Sequence, residues 1–167
     1  MLLEDICVVL VRPEEAGNVG AVCRAMKNMG LSRLRIAGGA SGPEENRLPG
    51  GLSREVILAR ALHAKEVWEN AEFFDSLKEA LADRTLVIGT TRRKGRHRKR
   101  FPLSPAEAAE CLVERRGRAA LVFGNERTGL EREELELCTL ASYIPSDDRF
   151  PSLNLSHALQ IYAYELF

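Results

Sequence analysis

What this 167-residue chain lacks excludes several kinds of protein. No apolar run approaches the roughly 20 residues of a membrane span. The opening MLLEDICVVLVRP carries two early acids and no basic stretch, so it reads as a buried strand rather than a signal peptide. No C-x-x-C occurs. Cys7, Cys23, Cys111 and Cys138 are scattered, and Cys7, Cys23 and Cys138 sit in apolar settings, as free thiols would in a reducing cytoplasm. His63, His97 and His157 have no metal-ligand spacing to those cysteines or to one another, so no metal site is expected. No G-x-G-x-x-G follows an expected strand, and G-x-x-x-x-G-K-[ST] is absent, so neither a dinucleotide fold nor a P-loop is supported. Without G-x-S-x-G there is no nucleophile elbow, and no cysteine has an evident base. Neither an internal repeat nor a long linker divides the chain, and residues 1–167 read as one domain with a single core.

The balance of charge also lacks evenness, although the formal net charge is +0. Seven of the 24 basic residues fall within residues 92–100, in TRRKGRHRKRF, with no acid among them. The remaining 17 face all 24 acids. Such a run is either a solvated loop or a polyanion contact that gains affinity from counterion release.

What is present is an alternation of apolar, β-branched runs with amphipathic ones. ICVVLV (6–11), LRIAG (34–38), TLVIGTT (85–91) and RAALVF (118–123) read as buried strands, and SYIPSDDRFPSLN (142–154) as a strand end and loop. Helices are expected from Asn18 as N-cap to Gly30, over 53–74 with a break near His63, after Asp75, over 104–116 with Ser104 as cap, over LEREELELC, and over LSHALQIYAYELF with Leu155, Leu159, Tyr162 and Leu166 on one face. Strands alternating with helices predict an α/β domain, a largely parallel sheet with helices on both faces. Ligands in such sheets bind beyond the carboxyl ends of the strands. Four polar or Gly-rich stretches should meet there: RPEEAGNVG, GTTRRKG, FGNERTG and IPSDDRFPSLN. Phe150 and Tyr143 are candidates to stack on a base, although aromatics beside a strand more often join the core. One residue stands out. Arg24 is a charge among the small and apolar residues of GNVGAVCRAMKNMG, inside a short expected helix.

Three of these stretches, in order and spacing, resemble the motifs of the SPOUT-class (SpoU/TrmH-like) RNA ribose 2′-O-methyltransferases. The first carries Asn18, Gly20 and Arg24 as N-x-G-x-x-x-R; the second Gly124, Glu126 and Gly129; the third Ile144, Pro145, Ser152, Leu153 and Asn154. The extended first motif is most similar to the TrmJ branch. The resemblance covers nearly the whole chain, least distinctively from about 41 to 80. It implies a C-terminal trefoil knot, a feature nearly absent from proteins at large, and a homodimer with its site near the subunit interface. It implies S-adenosylmethionine held by Thr90, Thr91, Gly124, Ile144, Ser152, Leu153 and Asn154. Its catalytic set would be Arg24, Asn18, Glu126 and Asn154. Its substrate would be a ribose 2′-hydroxyl of tRNA, typically of the pyrimidine at position 32 of the anticodon loop. Arg92, Arg93, Arg96, Arg98, Lys99 and Arg100 would then grip the RNA backbone.

A guanidinium, with a pKa above about 12, is a poor base. Two roles are therefore open for Arg24: holding the phosphate and ribose oxygen, or accepting the proton in a perturbing site. A third reading pairs Arg24 structurally with an acid such as Glu126. Glu126 fits loop ordering better than proton abstraction. The competing functions are methylation of another tRNA position or of rRNA, and a non-catalytic RNA-binding protein on the same fold. TrmJ-like proteins usually continue into a helical extension, whereas this chain stops at Phe167.

Overall fold

A computed structural model describes residues 3–38, 51–92, 102–114 and 117–167. Strand β1 (Ile6–Val11) is buried along its whole length, which only a central strand covered on both faces can be. It pairs in parallel with β2 (Arg33–Ala37) on one side and β5 (Ala119–Phe123) on the other. Beyond β2 lies β3 (Glu72–Phe74); beyond β5 lie β4 (Leu86–Thr90) and then β6 (Leu140–Ser142). The sheet order is therefore β3-β2-β1-β5-β4-β6, with every pairing parallel.

Alternation along the strands divides the core into two layers. Ile6, Val8, Leu10, Leu121 and Phe123 face α1 (Ala16–Asn28), α2 (Arg54–Ala61), α3 (Lys65–Glu69), α5 (Pro105–Glu114) and α7 (Leu155–Leu166). Cys7, Val9, Val11 and Val122 face α4 (Leu77–Ala80) and α6 (Arg132–Glu136). Helices thus cover both faces, as the sequence predicts. Helix α7 presents Leu155, Leu159, Tyr162 and Leu166 to the core. Helix α5 is capped as expected: Ser104 Oγ accepts from the Glu107 amide while the Glu107 carboxylate accepts from the Ser104 amide.

Three local expectations are corrected. The segment 53–74 is not helical throughout. The expected break near His63 is there, at Leu62, which opens a 3-10 turn with a positive φ of 53°, but Glu72–Phe74 pairs with β2 as an edge strand. Tertiary contacts outweigh the helical pattern there. Phe73 packs edge-on against buried Trp68 with ring centroids 5.4 Å apart, and the Arg35 guanidinium lies 5.1 Å over Phe74 and 2.9 Å from Glu72. The cap of α4 is Ser76, not Asp75, because the Ser76 hydroxyl accepts from the Glu79 amide. Helix α1 begins at Ala16, with Glu15 at the N-cap position, so Asn18 lies inside its first turn and is not its cap.

Because all strands run the same way, the segments after β1, β4, β5 and β6 leave from one edge. The chain moves outward from β1 to β2 and β3, then returns on the far side through β4 and β5. The strand order reverses between β1 and β5, the position where open α/β sheets form a crevice.

Candidate active site at the carboxyl edge of the sheet

The loop leaving β5 closes on itself within six residues. A Cβ on Gly124 would lie 2.2 Å from the Gly129 carbonyl carbon and from the Leu130 amide nitrogen, so only glycine fits there. Gly129 turns with φ +67° and donates its amide to the Asn125 carbonyl. Asn125 is buried and fixes the loop. Its Oδ1 accepts from the Arg127 amide, and its Nδ2 donates at 2.7 Å to the carbonyl of Arg12, just past β1.

Glu126 joins the loops after β1 and β5. Its carboxylate accepts from the Glu14 amide at 3.0 Å, the Glu15 amide at 3.1 Å and Asn18 Nδ2 at 3.5 Å. The start of α1 therefore has a carboxylate supplied by a distant loop, where its own Glu15 makes no side-chain cap. Arg127 forks onto Glu14 with two 2.7 Å bonds, which hold the Glu14 carboxyl below its ordinary range. Asn154 is the N-cap of α7: its Oδ1 accepts from the Ser156 amide at 2.9 Å and from the Ser156 hydroxyl at 2.7 Å. Its Nδ2 donates to Asn18 Oδ1 at 2.8 Å. Residues from all three sequence motifs thus form one chain of contacts, Glu126 to Asn18 to Asn154.

A cleft opens beside this chain. Thr90, Thr91, Gly124, Ile144, Ser152 and Leu153 line it, which accounts for all the residues expected around a cofactor except Asn154. Leu130, Leu155 and Tyr162 complete its apolar part, and Arg92 and Arg127 reach it as well. Thr90 is held by a 3.0 Å bond from its hydroxyl to the Val122 carbonyl. Tyr162 is buried, its hydroxyl pushed up to about 12 by loss of solvent. It stands 2.8 Å from Ser142 Oγ; since that hydroxyl donates to the Leu103 carbonyl, Tyr162 is the donor of the pair.

Arg24 is not in this cleft. It is exposed on α1 and lines a separate groove with Arg60 of α2 and His157 of α7. Among the described residues no ion pair links it to Glu126, whose carboxylate is engaged by the Glu14 and Glu15 amides and Asn18. The structural pairing considered for Arg24 is therefore not formed. Its neighbour Cys23 is buried, with the thiol pushed up to about 12, and packs rather than reacts. Phe150 is 81% exposed on the loop leading into the cleft, and Tyr143 is half-buried. Arg93, Arg96, Arg98, Lys99 and Arg100 lie outside the described residues. Glu14, Asn125 and Tyr162 are not among the site residues expected from sequence; for Asn125 a signal existed, since asparagine in a Gly-rich turn commonly bonds the backbone two residues on. Among the described residues no helix is long and apolar enough to cross a membrane, and no group of three His, Cys, Asp or Glu could hold a metal ion.

The family model described as the SpoU rRNA Methylase family matches residues 5–164. The chain is 37% identical over 164 residues to the tRNA (cytidine-2′-O-)-methyltransferase TrmJ of Methanocaldococcus jannaschii, covering 97% of this chain and 67% of that protein. It is 41% identical over 171 residues to the tRNA (cytidine/uridine/adenosine-2′-O-)-methyltransferase TrmJ of Pseudomonas aeruginosa, covering 99% of this chain and 61% of that protein. A solved structure of a probable methylase family protein from Haemophilus influenzae superposes with a TM-score of 0.87 at 38% identity, covering 99% of this chain and 66% of that one. The chain thus spans between 61% and 67% of the length of these relatives.

Proposed function

The chain belongs to the SpoU rRNA Methylase family, close to its TrmJ branch, and on that premise we propose that it transfers the methyl group of S-adenosylmethionine to a ribose 2′-hydroxyl of tRNA. The observation that carries this reading is the convergence of Glu126, Asn18 and Asn154 beside a cleft lined by Thr90, Gly124, Ile144 and Leu153.

The cleft suits the cofactor. Residues Gly124–Gly129 all line it, and the two glycines leave main-chain groups to meet a polar ligand, while Ile144, Leu153 and Leu155 offer apolar surface to an adenine. When bound, S-adenosylmethionine supplies a methyl on a sulfonium centre, and in-line displacement by a ribose oxygen calls for alignment and proton removal but no metal. Thr90, Thr91, Gly124, Ile144, Ser152 and Leu153 would hold the cofactor, and Asn154 fixes the start of α7 beside them. Asn18 and Glu126 keep the loops in register. Arg24 orients the 2′-oxygen with its fork of donors, and the hydroxyl proton passes to a phosphate oxygen of the RNA.

The finer reading is the pyrimidine at position 32 of the anticodon loop; the P. aeruginosa relative is described as acting on cytidine, uridine and adenosine, so the base itself is part of what the test must read. A homodimer completes the site: Arg24 lies outside its own chain's cleft, which supports a second copy presenting its cleft to α1 and α7. The reading includes the trefoil knot at the C-terminal segment and a single domain over 1–167. It includes a cytoplasmic location, where buried Cys7, Cys23 and Cys138 stay reduced, and the basic run 92–100 as a grip on tRNA beside Thr90.

The test is transfer of labelled methyl from S-adenosylmethionine to unmodified tRNA, with nuclease mapping of the product. Label at a single anticodon-loop ribose is the expected result. Calorimetric cofactor binding with no label on any tRNA would overturn the reading for this chain.

A further inference from the structure

We infer that the groove between α1, α2 and α7 is a seat for a backbone phosphate of the RNA, gripped by Arg60 together with Arg24. The inference rests on the RNA-directed reading above and adds a binding residue to it.

The groove measures about 390 Å³ and is lined by Ala21, Arg24, Asn28, Arg60, His157 and Gln160, among others, with no acid among the described residues. Several other guanidinium groups sit on carboxylates: Arg35 and Arg84 on Asp83, Arg127 on Glu14, Arg132 on Glu136, Arg149 on Asp147. Among the described residues neither Arg24 nor Arg60 has a hydrogen-bond or ion-pair partner. Two exposed guanidiniums on adjacent helices, sharing one groove, repel each other until an anion enters between them. Of the other polar side chains that line the groove, Asn28 and Gln160 offer amide donors and Ser156 a hydroxyl, beside His157, so the lining matches an oxyanion.

The glycines of the first motif explain how Arg60 gets there. A Cβ on Gly20 would lie 2.4 Å from the Ile57 carbonyl oxygen and 2.6 Å from Arg60 Cβ, so α2 approaches α1 only over glycine. From that crossing the Arg60 stem runs back along α1, bringing its Nε 4.0 Å from where a Cβ on Gly17 would sit. Gly17, Gly20 and Arg24 share one face of α1. Arg60 thus reaches from α2 toward the end of α1 that Glu126 and Asn18 anchor. The cofactor cleft uses a different side of α7, through Leu155, Ala158 and Tyr162, while Ser156, His157 and Gln160 turn to the groove. A phosphate held here would set the register of the strand whose ribose Arg24 orients.

The experiment measures binding of an unmodified tRNA transcript as a function of salt for the chain and its Arg60→Gln, Arg60→Lys and Gln160→Glu variants. Cofactor calorimetry and light-scattering mass accompany each. Arg60→Gln should weaken tRNA binding about tenfold and reduce the slope of log affinity against log salt by about 0.7 to 1. Arg60→Lys should keep the slope, and Gln160→Glu, which leaves the α1–α2 crossing untouched, should weaken binding in the same direction. Cofactor affinity and mass should not move. An unchanged slope in Arg60→Gln overturns the inference. So does a fall in oligomeric mass, which would make Arg60 a contact with the second copy instead of with RNA, and so does a wild-type chain that binds no tRNA. A wild-type chain that binds tRNA with the Arg60-dependent slope yet transfers no methyl would defeat the enzymatic reading and leave the phosphate seat standing.

Discussion

Asn154 Nδ2 donates to Asn18 Oδ1 at 2.8 Å across 136 residues of sequence, tying the first turn of α7 to the first turn of α1. Each asparagine has a second duty: Asn154 caps α7, and Asn18 donates to Glu126. The cleft wall and the face that presents Arg24 are therefore mechanically linked. Asn154→Ala should cost about 1 kcal/mol of stability as a lost cap, and should lower methyl transfer by more than that loss of folded protein explains. Chemical denaturation beside single-turnover rates separates the two effects; equal losses would reduce Asn154 to a cap.

Arg24→Ala should lower methyl transfer about a hundredfold or more. Its side chain is exposed and has no partner among the described residues, so the unfolding free energy should stay within about 0.5 kcal/mol of wild type. Cofactor binding should be unchanged by calorimetry, since Arg24 does not line the cleft. A matching loss of cofactor affinity would place Arg24 in the cleft architecture instead.

Gly124→Ala tests the close backbone approach. A methyl 2.2 Å from the Gly129 carbonyl carbon forces the turn open, at a cost of about 1–3 kcal/mol. Cofactor titration should show a large loss of affinity, because the displaced backbone is the wall of the cleft.

Asp83 gives a pH signature away from the site. Side-chain bonds from Arg35 and then Arg84 hold its carboxyl far below the ordinary range. A depressed folded value means the contribution is fully present above the unfolded value near 3.9 and declines as pH falls below it. Asp83→Asn should therefore destabilise the protein at pH 7, and the gap between variant and wild type should shrink as pH drops below about 4. Urea midpoints across that range give the readout, and a constant gap would show that the carboxylate's charge is not what matters. Asp83 is partly exposed, so solvent screening limits the size of the effect.

Much of this protein could be read from its letters. Uniformly apolar β1 and β5 announced strands buried on both faces, the heptad-like spacing of Leu155, Leu159, Tyr162 and Leu166 announced α7, and the order of Gly-rich loops announced a site at one edge of a parallel sheet. These features are local, fixed by burial period and turn chemistry within a few residues. Edge strand Glu72–Phe74 was not legible, because its pairing depends on Trp68 and Arg35. The cap of α1 was misread for the same reason. The carboxylate serving that helix end comes from Glu126, more than 100 residues away, which left Asn18 free to bond Asn154.

The sequence by itself therefore determined the central strands of the sheet, most of the covering helices and the three stretches that meet at its carboxyl edge, because periodicity and short-range sterics decide those. Only the tertiary structure decided that Arg24 faces away from the cleft and shares a groove with Arg60. That choice depends on how closely α2 can approach Gly20 and on which side of α7 meets α1, and both are set by packing between segments distant in the chain.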